Sequence, residues 1–362
     1  MSLVGHDIND LQPAFPDRSV NEVEQIVHDN RLCLRRSYEG FGYLAIRQCD
    51  SQFFNIGSDG SRSTGREKSQ SRDFCRIHSY GGSTTVGENV SDSETVSSQL
   101  EKLLNSKDNL DCSVFNYGAG NHTSLHSTLR LLFHCLSGNI PNIAIFLNGY
   151  NDLFYSSGGE DGIADFFDQI LLCSQDLTKY ETRLSDLVSK IPSSISRFNE
   201  ERVDLSEEMT LDCFDNIRRR YGTALAIQNH IEEFFDVKVI RFIEPSAAVF
   251  CRPDQNLLPK LFEYGTRGRI TNHLYRELSF VGLESVFGKH LHSLLDIGQD
   301  RLDIPLFLDG THFTPQMNQI LATKIYSLLN NKWFKQKVSG RSKGVRRSDS
   351  SELTNPNNYP LF

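Results

Sequence analysis

Four short blocks of this sequence hold the residue types that nucleophilic catalysis by serine requires, and they lie far apart along the chain. They are Gly81-Gly82-Ser83-Thr84, Asn116-Tyr117-Gly118-Ala119-Gly120-Asn121, Gly149-Tyr150-Asn151-Asp152 and Asp309-Gly310-Thr311-His312. A serine hydroxyl is a weak nucleophile at neutral pH; it needs a general base, usually a histidine oriented by a carboxylate, and donors placed for the developing oxyanion. Ser83 stands in a glycine-rich turn, and Asp309 precedes His312 by three residues. Each block is a candidate for one of these parts.

Two rival chemistries fit less well. A phosphate loop of the Walker type places a lysine after its last glycine, whereas Glu88 follows Gly87 here. A dinucleotide fingerprint sought at Gly118-Ala119-Gly120 meets Thr123 where the third glycine belongs. His122 and His126 have the i, i+4 spacing of helical metal ligands, but no nearby acidic or cysteine residue completes a set, so neither metal nor other cofactor is expected.

The blocks need a scaffold that brings them together, and the hydrophobic pattern supplies one. Short apolar runs, CRIHSY, CSVFNYG, NIAIFLNGY and DVKVIRFIEP, lack strict alternation and are separated by helical patterns. That rhythm predicts a parallel sheet covered on both faces, an α/β fold. In an open parallel sheet the carboxyl ends of the strands converge on one crevice, so blocks placed at strand ends share one site. Residues 1–75 read as an irregular extension packing on or leading into the core, 76–333 as the main domain with a helical insertion at about 155–235, and 334–362 as a flexible basic tail. The last helix is marked by Thr314 as N-cap and Pro315 at the first helical position.

Taken in order, GGS, N-x-G-x-G, G-x-N-D and D-x-x-H resemble the blocks of the SGNH hydrolases, the GDSL-like esterases and lipases, and among them the bacterial branch with GGST. The resemblance runs from about Arg76 to Asn331, with the lead-in NIGSDGSR ahead of the first strand. It implies a three-layer α/β/α sandwich with a flavodoxin-like central sheet. It also implies Ser83 as nucleophile and oxyanion donor, Asn151 as a side-chain oxyanion donor, His312 as base and then acid, and Asp309 as the residue that fixes its tautomer. A second-block N–H, from Gly120 or Asn121, completes the oxyanion hole; strict register from Asn116 puts the family's glycine at Asn121. Gly82 stands where the name-giving triplet has aspartate.

The bulk numbers bound the reading. A chain of 362 residues with 38% apolar residues can bury a sizeable core, and a net charge of −8 argues against a general nucleic-acid partner. No run of 18 apolar residues appears and the first 30 residues show no secretion signal, so a cytoplasmic protein without an integral membrane segment is expected. Eight scattered cysteines without a C-x-x-C pair suggest reduced, mostly buried thiols. The expected activity is hydrolysis of a short-chain ester, a small-molecule or glycan (carbohydrate O-acetyl) substrate, through an acyl-enzyme. An acyltransferase using the same triad and a non-catalytic binding module on the same fold are the alternatives.

Overall fold

The computed structural model describes residues 8–34, 36–39, 43–69, 74–107, 111–156, 207–250, 266–288, 291–295, 297 and 304–330. Two compact units divide the chain, Met1–Thr323 and Lys324–Phe362, and the sheet and all four sequence blocks lie in the first. The basic tail and most of the first part of the insertion fall outside the described residues.

A helical turn, α1 (Ile8–Leu11), and a longer helix, α2 (Val20–Cys33), open the described chain, followed by an antiparallel hairpin of β1 (Arg36–Glu39) and β2 (Tyr43–Ile46). The central sheet contains β3 (Cys75–Gly81), β4 (Cys112–Asn116), β5 (Ile143–Asn148), β6 (Lys238–Ile243) and the two-residue β7 (His292–Ser293). Its spatial order is β4-β3-β5-β6-β7 and every pair is parallel. Counted within this sheet, the order is 2-1-3-4-5, the flavodoxin-like arrangement. Between strands run α3 (Ser83–Val86), α4 (Val96–Lys107), α5 (Ser124–Leu136), α6 (Tyr150–Ser156) and α7 (Glu207–Phe235), and then α8 (Ala247–Phe250), α9 (Thr266–Val281), α10 (Leu283–Phe287) and the final α11 (Pro315–Leu329). Helices flank the sheet, as the fold class requires.

The strands form where the apolar runs predict them. β5 is buried along its whole length, which is why its sequence shows no polar alternation. On one face, Tyr80, Ala144, Phe146 and Val239 pack against Leu131 and Cys135 of α5 and Ile231 of α7. Gln228 of α7 donates to Thr128 of α5 within that layer at 2.7 Å. The insertion thus contributes a 29-residue helix to the wall of the core. Thr314 caps α11 as expected, its hydroxyl accepting the Met317 N–H at 3.2 Å.

The N-terminal residues are not an irregular approach. Ser19 and Glu22 form a capping box that starts α2, whose Val23, Ile26 and Val27 are buried with Leu11, Val90 and Leu308. Leu308 directly precedes Asp309, so this extension supports the loop of the fourth block. The expectation of reduced thiols also needs correction, because Cys33 and Cys49 are joined by a disulfide across a sequence separation of 16. Such bonds persist in oxidising compartments. Cys75, Cys112, Cys135 and Cys213 are free, and Cys173 and Cys251 lie outside the described residues. Among the described residues, no helix is long and apolar enough to cross a membrane.

Candidate active site

Parallel strands end on one edge of the sheet, and the blocks follow those ends. Ser83 begins α3 two residues after β3, and Gly120 and Asn121 lie in the loop after β4. Asn151 is the second residue of α6, three residues after β5. Asp309 and His312 sit in a loop closed by the antiparallel bridge between Phe307 and Phe313, with the Leu308 N–H donating to the His312 carbonyl at 2.7 Å.

The turn that carries Ser83 is packed against backbone on two sides. A Cβ on Gly118 would lie 2.3 Å from the Val86 nitrogen, so only glycine lets the second block approach the α3 turn this closely. Asn116 ties the same two segments, its side-chain amide donating to the Thr85 carbonyl at 2.8 Å while its oxygen accepts the Gly118 N–H at 3.0 Å. A Cβ on Gly82 would meet the Asn151 side-chain nitrogen at 2.6 Å. Glycine at position 82 therefore accommodates the close approach of Asn151. In the second block, Asn121 adopts φ 67° and the His122 N–H closes a turn onto the Ala119 carbonyl at 3.2 Å. An asparagine tolerates that left-handed backbone better than most residues.

Asp309 and His312 are in direct contact. His312 Nδ1 lies 2.6 Å from Asp309 Oδ2, while Asp309 Oδ1 accepts the N–H groups of Thr311 and His312, each at 2.8 Å. Burial works against the charge on both. For Asp309 it is outweighed by His312 and by those N–H groups, which hold its carboxyl down at about 2. For His312 it is outweighed by Asp309 first and then by Glu88 and Glu244, which raise the imidazolium pKa to about 9. Nε2, the nitrogen a serine hydroxyl would address, makes no hydrogen bond, and Glu88 Oε2 stands 3.6 Å from it. The Asn151 side-chain nitrogen donates to the His122 carbonyl at 2.9 Å. The loops thus hold Asn151 beside Gly82, and Asp309 against His312, in the conformation seen here.

Two buried acids, absent from the sequence blocks' expected roles, brace these loops. Glu244 follows β6 directly; one oxygen accepts the Tyr150 N–H at 2.8 Å and the other accepts the Thr84 hydroxyl. It therefore joins the residue after Ser83 to the residue before Asn151. Asp152 accepts the Ser124 hydroxyl at 2.6 Å and its N–H at 3.1 Å, fastening α6 to the start of α5. His126 belongs to this scaffold too, its Nδ1 accepting the Thr123 N–H at 3.1 Å at the start of α5.

Burial pushes the Glu244 carboxyl up to about 7 and that of Asp152 to about 6, against the pull of their hydrogen bonds. A carboxyl whose folded pKa is raised stabilises the fold fully below its unfolded value and loses that contribution as pH rises through the folded value. Glu244→Gln keeps an acceptor for Tyr150 and a polar partner for Thr84 while removing the charge. Relative to wild type, this variant is expected to gain stability between about pH 4.5 and pH 7, by on the order of 3 kcal/mol at 1.36 kcal/mol per pH unit. Urea unfolding at a series of pH values checks this, and parallel curves for the two proteins would refute it.

No protein-family model matches the sequence, and no curated protein matches it. Solved structures similar to this chain include the acetyl xylan esterase AlAXEase, at 13% identity over 70% of this chain and 99% of that one, with a TM-score of 0.38. A member of the lipolytic protein G-D-S-L family from Veillonella parvula is 9% identical over 71% and 99% of the two chains, with a TM-score of 0.38. The lipase/acylhydrolase from Enterococcus faecalis is 15% identical over 72% and 97%, with a TM-score of 0.37.

Proposed function

We propose that the chain is a serine esterase of the SGNH type that hydrolyses a short-chain ester, with carbohydrate O-acetyl groups as its substrate class. The observation that carries the reading is the 2.6 Å Asp309–His312 contact, with His312 Nε2 3.6 Å from Glu88, a residue whose own N–H donates to the Ser83 carbonyl at 3.0 Å. A base oriented by a carboxylate beside a serine turn is the arrangement from which acyl transfer proceeds.

On this reading Ser83 Oγ attacks the ester carbonyl as its proton passes to His312 Nε2. The new C–O bond leaves an oxyanion for the N–H of Ser83, for that of Gly120 or Asn121, and for the Asn151 amide. Collapse breaks the bond to the alcohol, which departs with the proton from His312. Water then adds to the acyl group with His312 again as base, and cleavage of the acyl–Ser83 bond releases the acid and restores the hydroxyl. An alcohol in place of water makes the same site an acyltransferase. A binding module without turnover is the second reading, favoured by the engagement of the Asn151 amide with the His122 carbonyl.

Intact-protein mass spectrometry after treatment with a fluorophosphonate separates the two. The expected result is one adduct, mapping to Ser83 and lost in Ser83→Ala and His312→Ala. A folded protein that forms no adduct between pH 6 and pH 10, a range set about the imidazole's titration, would replace the esterase by the binding module.

A further inference from the structure

Five residues past Ser83 the chain turns back on it. Gly87, at φ 80°, ends α3 in the left-handed conformation, and the N–H groups of Gly87 and Glu88 both donate to the Ser83 carbonyl, at 2.9 and 3.0 Å. This return brings Glu88 Oε2 to 3.6 Å from His312 Nε2, on the far side of the ring from the 2.6 Å contact with Asp309. Both carboxylates are largely shielded from water, with side-chain exposures of 14% for Glu88 and 11% for Asp309. The imidazole therefore has a carboxylate beside each nitrogen, in hydrogen-bond contact at Nδ1 and at ion-pair distance from Nε2. A neutral ring carries one N–H and one lone pair, whereas the imidazolium donates from both nitrogens. A general base at Nε2 needs the lone pair there.

We propose that Glu88 is a positioning residue that holds His312 as an imidazolium in the free site, so that the site is largely silent at neutral pH and becomes active as pH rises or as substrate displaces the carboxylate. The inference rests on the reading of Ser83 and His312 as nucleophile and base. Charged groups reach His312 from three elements. They are Asp309 in its own loop, Glu88 in the turn after α3, and Glu244 at the end of β6. Tyr150, which bonds Thr311 of the same loop, stays neutral because burial pushes its phenol up to about 12.

The sign of the effect is fixed by which form works. Below the folded pKa, near 9, His312 is mostly charged and cannot take a proton; above it, the base is free. Activity of the free site is thus expected to rise through the alkaline range, well above the pH at which an ordinary histidine titrates. An opposite charge within about 4–6 Å supports a shift of about 1–3 pH units. With Asp309 still in place, Glu88→Gln is expected to lower the His312 pKa by about one unit and to raise kcat/KM at pH 7 about tenfold.

The test follows the His312 ring by NMR across pH in the full chain, wild type and Glu88→Gln, alongside kcat/KM profiles on p-nitrophenyl acetate. The expected result is a downward displacement of about one unit in both the ring titration and the acid limb of the profile. A ring titration unmoved by the substitution overturns the proposal, whatever the activity. Glu88→Asp keeps the charge on a shorter arm and should titrate between the other two; if the glutamine variant fails to fold, its shift from wild type decides. Fluorophosphonate labelling at pH 10 reports separately on the nucleophile. A ring that shifts in a protein never labelled at Ser83 would retain the charge relation and remove the esterase.

Discussion

Ser83→Ala is expected to lower kcat for an activated short-chain ester by at least about 10³-fold, and Ser83→Ala combined with His312→Ala is expected to lose no more than either change alone. Nucleophile and base act as one unit, so once either is gone the other has nothing left to contribute. Whatever rate remains comes from the oxyanion donors and from binding. Asp309→Asn sharpens the result through its geometry. Its Oδ1 accepts two backbone N–H groups and its Oδ2 faces Nδ1 at 2.6 Å. An asparagine that keeps the first pair of bonds turns an NH₂ toward Nδ1, which favours the tautomer protonated at Nε2. The base is then blocked with its position intact, and a loss of about 10⁴-fold is expected. Steady-state kinetics on the three single variants and the double variant, with far-UV circular dichroism as the control for folding, make the check. Losses that multiply in the double variant would mean that Ser83 and His312 do not act on one reacting centre.

The sheet was legible because a parallel strand buried on both faces has no polar residue to interrupt it, and IAIFL in β5 is the plainest instance. The four blocks were legible because glycine and asparagine at strand ends are tied to backbone shape. Gly118 permits the approach to Val86, and Asn121 occupies a left-handed position. The remainder depended on partners distant in sequence. α2 carried a local signal, Ser19-x-x-Glu22 ahead of Val23, Ile26 and Val27, which the polar composition of the segment up to residue 75 obscured. β7 has two residues and exists only because β6 offers it an edge, so no pattern marks it. The Cys33–Cys49 bond joins the end of α2 to the residues after β2 and has no spacing motif. Glu244 left a faint trace, an acid and a proline directly after a buried apolar run, but the partners that give it meaning come from the loops after β3 and β5. Glu88 argued against a phosphate loop in the sequence, and its place beside His312 arises from the turn at Gly87.

Arg62, from the lead-in NIGSDGSR, is expected to carry the largest single contribution to the stability of the site, because its guanidinium ties one buried carboxylate to three carbonyls of the Ser83 turn. Its side chain is fully buried, with Nε donating to Asp92 at 2.9 Å and with the terminal nitrogens donating to the carbonyls of Val86, Gly87 and Val90. Its guanidinium carbon lies 3.8 Å from the ring centroid of Phe54. Those carbonyls belong to the end of α3 and the turn that returns Glu88 to Ser83, so Arg62 closes the C-terminal end of the helix whose first residue is Ser83. Arg62→Met fills much of the volume but removes the charge and the donors that the carbonyls of Val86, Gly87 and Val90 share, and leaves the Asp92 carboxylate with Asn55 as its hydrogen-bond donor and no cation beside it. Breaking a buried pair from one side costs about 3–5 kcal/mol. Arg62→Lys should not rescue it, since a single ammonium cannot serve acceptors spread from Val86 to Asp92. Arg18, paired at 3.0 Å with Glu94 where the two side chains are 23% and 17% exposed, supplies the contrast. Its removal should cost no more than about 1 kcal/mol, as for an ion pair within reach of water. Urea unfolding of Arg62→Met and Arg18→Ala against wild type compares the two, and equal losses would remove Arg62 from the support of the turn. Fluorophosphonate labelling of Arg62→Met, measured where the protein is still folded, carries the point into function. If the turn depends on Arg62, labelling slows together with the loss of stability, whereas a destabilised protein that labels at the wild-type rate would place the support of Ser83 in Asn116 and Glu244 instead.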